Sequence, residues 1–263
     1  MATPTSRRIK KYGWRPDLPD QRDFLYAAPP ATLTALPAKV DLRSDAPALP
    51  EVYDQGELGS CTANATAAAV QYARRKQTQQ GDFTPSRLFI YYNTRAIEGT
   101  VSTDSGAQLR DTMRAVSKLG VCTSETHWPY QIVKFTDKPT QEAFDFALDY
   151  QVVSYKRIAQ NPSQMKGCLA SGFPFVFGFT VYDSFESDAV AQNGIVPLPG
   201  GNEGVLGGHA VLAVGYDDAK STFIVRNSWG PKWGDGGYCY MPYAYLGNST
   251  LATDFWTVRM VEA

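Results

Sequence analysis

Apolar residues change their spacing once along this chain, near residue 135. Before that point they recur at three- and four-residue intervals, the period of a helix with one buried face. Cys61, Ala65, Ala68, Ala69 and Tyr72 make one such face. Ser60 stands at the N-cap position, and Arg74, Arg75 and Lys76 fall in the last turn, where positive charge suits the helix dipole. Ser86 opens a second helix with Leu88, Phe89, Tyr91 and Tyr92, and a third carries Leu109, Met113, Val116 and Leu119 before Gly120 ends it. After residue 135 only short helices are predicted, over 140–148 and 162–169. β-Branched and aromatic runs dominate there, at 151–158, 173–182, 209–216, 221–227 and 236–243. Helices gathered in one half and strands in the other predict an α+β chain whose second half is an antiparallel sheet or partial barrel.

The chain has 263 residues, room for one large domain or two lobes that share a cleft. Lys and Arg number 25 against 26 Asp and Glu, so there is no broad cationic footprint and nucleic acid is not an expected partner. No apolar run approaches the roughly 20 residues of a membrane span. Residues 1–37 stand apart. Pro4, Pro16, Pro19, Pro29, Pro30 and Pro37 break them up, yet Trp14, Phe24, Leu25 and Tyr26 are too apolar for a solvated tail. The segment is expected to lie against the globular part, which opens at residue 38; a disordered extension is the alternative. Arg7, Arg8, Lys10 and Lys11 read as a solvated cluster. No apolar stretch follows them, so a cytoplasmic location or leaderless export is expected.

The residues suited to chemistry begin with Gln55-Gly-Glu-Leu-Gly-Ser-Cys61-Thr-Ala-Asn. A thiol in the first turn of a helix feels unpaired N–H groups, and with a basic partner its pKa can fall from about 8.5 to roughly 3.5–7.5. Cys61 is therefore the candidate nucleophile; the alternative is a small buried hydrophobe. A cysteine nucleophile needs a base in hydrogen-bond reach and a third group to orient that base. His209 follows a glycine-rich run at the expected mouth of a strand, and Asn227 ends the strand that pairs with it. Neighbouring strands lie about 4.8 Å apart, so the two side chains meet if they share a face. An Asn oxygen then holds one ring nitrogen and leaves the other for the thiol. Trp229 can roof that bond against water. The N–H of Cys61 and the side-chain amide of Gln55 are the candidate oxyanion donors. Cys122, Cys168 and Cys239 read as buried reduced thiols, His127 as a packing residue, and Asp217 and Asp218 as a turn. No cysteine stands at ligand spacing from either histidine, so neither a metal nor a cofactor is expected.

Four stretches occur in order: Gln55…Gly59-Ser60-Cys61, Gly208-His209-Ala210, Asn227-Ser-Trp-Gly and Trp233-Gly-Asp-Gly-Gly-Tyr. Over roughly residues 38–250 the chain resembles the papain and cathepsin family of cysteine proteases. The resemblance implies a two-lobed fold, with residues 38–135 the helical lobe that carries Cys61 and 136–263 the β lobe that carries His209 and Asn227. A substrate peptide would lie in the cleft between them. It gives Cys61, His209, Asn227 and Gln55 the catalytic roles. The paired glycines that bond substrate backbone fall at Ser105-Gly106, so only Gly106 matches. Ala107, Gly208 and Ala210 border the pocket for the second residue before the scissile bond, and Trp229 joins the substrate-binding set. Small to medium apolar side chains are expected in that pocket.

His209 and Asn227 follow Cys61 by 148 and 166 residues, which implies an insertion before His209, with residues 199–208 its expected place. The family's disulfide cysteine three residues before the nucleophile is Leu58 here, and its partner near Gly106 is missing. Thr62 stands where an aromatic residue is usual. The helical pro-segment of many relatives has no counterpart. Residues 1–37 are instead expected to cover the cleft, anchored by Trp14 or by the cluster at 24–26. The activity implied is peptide-bond hydrolysis through a thioester acyl-enzyme, by a monomer made as an N-terminally blocked precursor. Protein or peptide substrates and proteinaceous cysteine-protease inhibitors are the implied partners. Two other readings stay open: an amide-forming acyl transferase on the same scaffold, and an inactive peptide-binding relative.

Overall fold

A computed structural model describes residues 12–44, 46–77 and 82–262, so the basic cluster at 7–11 lies outside the described residues. Helix α2 (Cys61–Gln77) is buried from Cys61 through Arg74. Its run of alanines explains this: alanine has the best intrinsic helix propensity, and its small side chain lets flanking backbones come close. The chain enters α2 through helix α1 (Pro30–Thr34) and a loop, and continues into α3 (Arg87–Glu98) and α4 (Leu109–Leu119). Ser86 caps α3 as expected, its hydroxyl accepting the Phe89 N–H at 3.1 Å. Gly120 stands at the C-terminal cap of α4. Helices α3 and α4 pack together and against one side of α2.

The other side of α2 faces an eight-stranded sheet. Its strands are β1 (Leu25–Tyr26), β2 (Lys39–Asp41), β3 (Val152–Ile158), β4 (Phe175–Tyr182), β5 (Val205–Asp217), β6 (Thr222–Arg226), β7 (Tyr238–Pro242) and β8 (Ala252–Val261). The order is β1-β3-β8-β4-β5-β6-β7, with β2 added on β5. Every pairing is antiparallel except that of β1 with β3. Phe175, Phe177, Phe179 and Phe223 fill the core beneath it. Of the short helices α5 (Gln141–Ala147), α6 (Pro162–Ala170), α7 (Asp188–Asn193) and α8 (Tyr243–Leu246), α6 packs on β4 and β5, α8 on β7 and β8, and α5 sets Phe144 against Phe89 of α3. The α+β reading holds, with helices toward the first half and the sheet toward the second. One expectation is corrected: β5 starts at Val205, so His209 lies inside a strand rather than at its mouth, and the glycine run partly belongs to the sheet.

Residues 12–26 form a strap. Trp14 makes a parallel bridge with Ala107, and β1 then docks on the sheet edge beside β3.

Candidate active site

Ser60 ends the loop before α2, and its carbonyl accepts the Asn64 N–H at 3.0 Å. Its hydroxyl does not cap the helix as expected. Tyr130 at 2.6 Å and the Asn64 side chain at 3.0 Å take it instead. The next residue, Cys61, is fully buried. Burial pushes its thiol up to about 11, while the backbone N–H groups of Ala210, Gly13, Thr62 and Cys61 itself face the sulfur and pull the other way. The lowered pKa expected for a helix-tip thiol is therefore absent here. The reason is tertiary: the strap covers the sulfur, and desolvation outweighs the N–H groups.

Ala210 follows His209 on β5, so the sulfur lies against the strand that carries the imidazole. His209 Nε2 is 2.8 Å from Asn227 Oδ1, and that oxygen also accepts the Ser228 N–H at 2.8 Å. An amide oxygen only accepts, so Nε2 carries the proton and Nδ1 is the nitrogen able to take one. Asn227 stands just past β6, the strand paired with β5, as the sequence predicts. Trp229 lies over the imidazole, with ring centroids 5.1 Å apart. Phe179 and Tyr12 close further sides edge-on at 5.7 and 5.9 Å.

Gln55 is buried and held from both ends. Its Nε2 donates to Leu58 O at 3.0 Å, and its Oε1 accepts the Ser228 hydroxyl at 2.6 Å. One N–H of the amide is thus spent and one remains as a donor. Tyr130 adds a hydroxyl bond to the Gln55 carbonyl at 2.8 Å. Sequence reasoning missed Ser228 and Tyr130 as supports, although Ser228 lies inside the Asn-Ser-Trp-Gly run.

The strap crosses this ground in extended form. Ala107 N–H donates to Gly13 O at 2.7 Å, Arg15 N–H to Ala107 O at 3.1 Å and Trp14 N–H to Gly208 O at 2.9 Å. Ala107, not Gly106, makes the backbone contacts. Gly106 serves by having no side chain: at φ +69° a Cβ there would sit 2.3 Å from Gly13 O. Ala107 and Ala210 are buried beside it. The Trp14 indole fills a pocket against Gly208 and Gly178, where a Cβ on Gly178 would fall within 2 Å of the ring. Phe24 and Leu25 point to solvent, so of the suggested anchors Trp14 and Tyr26 are the buried ones.

Among the described residues all four cysteines are free, and Cys122, Cys168 and Cys239 are buried with thiols raised by burial. His127 stacks on Phe146 at 4.0 Å, a packing role. At the place of the family disulfide, the Asp104 carboxylate accepts the Gly59 N–H at 3.1 Å and the Tyr91 hydroxyl, and that hydroxyl accepts the Gly106 N–H at 3.1 Å. No helix in the described residues is long and apolar enough to cross a membrane.

A helix tip that offers a thiol to a sheet that offers an imidazole is the layout of a thiol hydrolase. Comparison with known proteins makes the class specific: residues 36–257 match the papain family of cysteine proteases, and the chain belongs to that family. It is a cysteine-type peptidase. Its structure is similar to that of xylellain, a cysteine protease from Xylella fastidiosa, at 46% identity and a TM-score of 0.89, over 97% of this chain and 98% of that one. An uncharacterized peptidase C1-like protein of Acanthamoeba polyphaga mimivirus is 43% identical over 98% of this chain and 89% of its own. A cathepsin B-like protein, CP3, of Giardia intestinalis is 34% identical over 81% of this chain and 72% of its own.

Proposed function

We propose that Cys61, His209, Asn227 and Gln55 perform the peptidase chemistry, and that residues 1–37 keep it silent in a precursor. In this reading the Cys61 sulfur attacks a peptide carbonyl and forms a thioester, while His209 takes the thiol proton through Nδ1 and returns it to the leaving amine. Asn227 fixes the imidazole by holding Nε2. The Cys61 N–H and the remaining Gln55 N–H stabilise the oxyanion. Water activated by the same imidazole then hydrolyses the thioester.

The observation that carries this reading is the Nε2–Oδ1 bond of 2.8 Å on a strand whose next N–H faces the sulfur. The silent state is supported by the strap's geometry. The N–H of Gly13 faces the sulfur, and the Gly13 carbonyl accepts the Ala107 N–H. The strap thus occupies the ground a substrate backbone would take. The boundary between pro-segment and peptidase domain falls near Pro37–Ala38 in this reading.

The test is labelling with a peptidyl vinyl sulfone followed by mass spectrometry. The intact chain should label slowly, and protein cut after Pro37 and freed of the strap should label fast at Cys61 alone. Labelling at another cysteine, or none in the strap-free protein, would overturn the assignment. Equal rates with and without the strap would overturn the precursor.

A further inference from the structure

Beneath the strap, further along its chain than Trp14, five charged side chains meet. Arg110, in the first turn of α4, forks the Asp23 carboxylate, Nε to Oδ1 at 2.9 Å and Nη2 to Oδ2 at 2.6 Å. Arg157 on β3 adds a bond to Asp23 Oδ2 at 3.0 Å and holds Asp254 Oδ1 at 2.9 Å. Asp17 lies beside them, accepting the Arg110 backbone N–H and the Trp256 indole N–H, each at 3.0 Å. Both guanidiniums are placed over the Trp256 ring, 5.9 and 5.5 Å from its centroid. The Asp23 and Arg110 side chains are only 10% and 9% exposed, so this seat takes a carboxylate largely out of water. Burial pushes the Asp23 carboxyl up, but hydrogen bonds from Arg110 and Arg157 hold it below its usual range.

Of the three carboxylates, Asp17 and Asp23 belong to the strap and only Asp254 to the body. When the strap leaves, two oriented guanidiniums face one carboxylate. The nearby Arg114 is already paired with Asp111 at 3.1 Å. Release of the strap returns the two guanidiniums to water, and an incoming carboxylate restores the forked pairing that Asp23 makes in the strapped chain. The seat also lies near the backbone contact of the cleft: Ala107, which pairs with Gly13 and Arg15, stands three residues before Arg110 in the chain. In the strapped chain an open groove of ≈ 230 Å³ lies there between the strap residues Asp20, Arg22, Asp23 and Phe24 and the body residues Arg110, Arg114, Tyr155 and Trp256, and departure of the strap widens it. Glu98, which pairs with Arg15 in the strap, faces the position next to the pocket and disfavours acid there. The selection therefore falls further out.

We propose that the open enzyme prefers acidic peptides: Arg110 and Arg157 form an anion subsite at the far end of the cleft, and Asp23 fills it in the strapped chain as the stand-in for a substrate carboxylate. This rests on strap release as proposed above.

The test uses the full chain with a site-specific protease sequence inserted between Pro37 and Ala38, folded, cut and freed of the strap. Cys61→Ala in this protein allows binding to be read without turnover. Three labelled peptides share an aromatic residue for the pocket and differ only several residues beyond it, carrying Asp, Asn or Lys. Fluorescence anisotropy should give roughly five- to tenfold tighter binding for the Asp peptide than for the Asn peptide, with Lys weakest. The preference should shrink as salt rises. Arg110→Gln and Arg157→Gln should each flatten the Asp-to-Asn ratio. If either variant misfolds, the salt dependence of the parent protein still decides. Affinities within about twofold for all three peptides, or a preference indifferent to salt, would overturn the subsite. Failure of the peptidase assignment would appear elsewhere, as absent turnover and labelling in protein that keeps Cys61.

Discussion

Residues 12–26 are held to the rest of the molecule by backbone hydrogen bonds, ion pairs and two buried rings, Trp14 and Tyr26, whereas the body beneath is held by an extended apolar core of its own. The strap spends its polar groups on Ala107, Gly208, Arg110 and Arg157, and leaves Phe24 79% and Leu25 66% exposed. The body buries α2 through Arg74 and packs Phe175, Phe177, Phe179 and Phe223 together. Water can replace hydrogen bonds and ion pairs at small net cost, but it cannot replace apolar packing. In the precursor reading proposed above, the strap leaves while the body stays folded, and access to the site is separate from the chemistry within it.

Substitutions in the body should remove chemistry whether or not the strap is present. Cys61→Ala and His209→Ala should each lower kcat by at least about 10⁴-fold in strap-free protein, measured on a fluorogenic peptide. Residual activity near the parent level would break the division between access and chemistry. Gln55→Ala should cost roughly 10²- to 10³-fold in kcat with little change in KM. Ser228→Ala, which frees the Gln55 oxygen, should cost a further-removed three- to tenfold or so, the size of one lost hydrogen bond.

Strap removal should open the site without unfolding the body. Peptidase activity should rise roughly 10²-fold, and the melting transition of the body should persist. The thiol should change with it. Burial holds Cys61 at about 11 in the strapped chain, so re-exposure should lower the midpoint of its alkylation-rate profile toward neutral pH. A midpoint that stays near 11 would mean that the strap is not what desolvates the sulfur.

The smallest effect concerns pH. Burial first, then the neighbouring Asp254 carboxylate, raises the Asp17 carboxyl to about 6, and burial raises Asp254 as well; Arg110 opposes the first shift in part and Arg157 the second. A raised carboxyl pKa means that docking takes up a proton. Docking therefore weakens as pH rises through about 6, while below the ordinary carboxylate range protonation of Asp23, whose carboxyl docking holds low, weakens it again. Hydrogen exchange at residues 12–26, corrected for its intrinsic pH dependence, should be roughly tenfold less protected at pH 7.5 than at pH 5. Asp17→Asn should reduce that difference.

Much of this arrangement was legible in advance where one residue type has one use. Helical spacing around Cys61, the Ser86 cap and the stop at Gly120 follow from local rules, and each stands in the structure. So does the pairing of the strands that bear His209 and Asn227. The two-residue strand β1 was not legible, because two residues carry no period, and neither was β8. Ser60 shows the limit at the site. Its type suits an N-cap, but Tyr130, 70 residues away, competes for the hydroxyl and wins. The Phe24 and Leu25 pair looked like an anchor by composition, yet only Trp14 and Tyr26 find pockets.

By itself the sequence determined the α+β order of elements, the family, and which four side chains are the candidates for chemistry, because motif residues and periodic apolar faces are local properties. Only the tertiary structure decided that the sulfur is desolvated, that Gly13 turns an N–H toward it, and that strap carboxylates sit between Arg110 and Arg157. Those outcomes depend on which distant segments share a surface, and burial and charge pairing are properties of that shared surface rather than of any one stretch of chain.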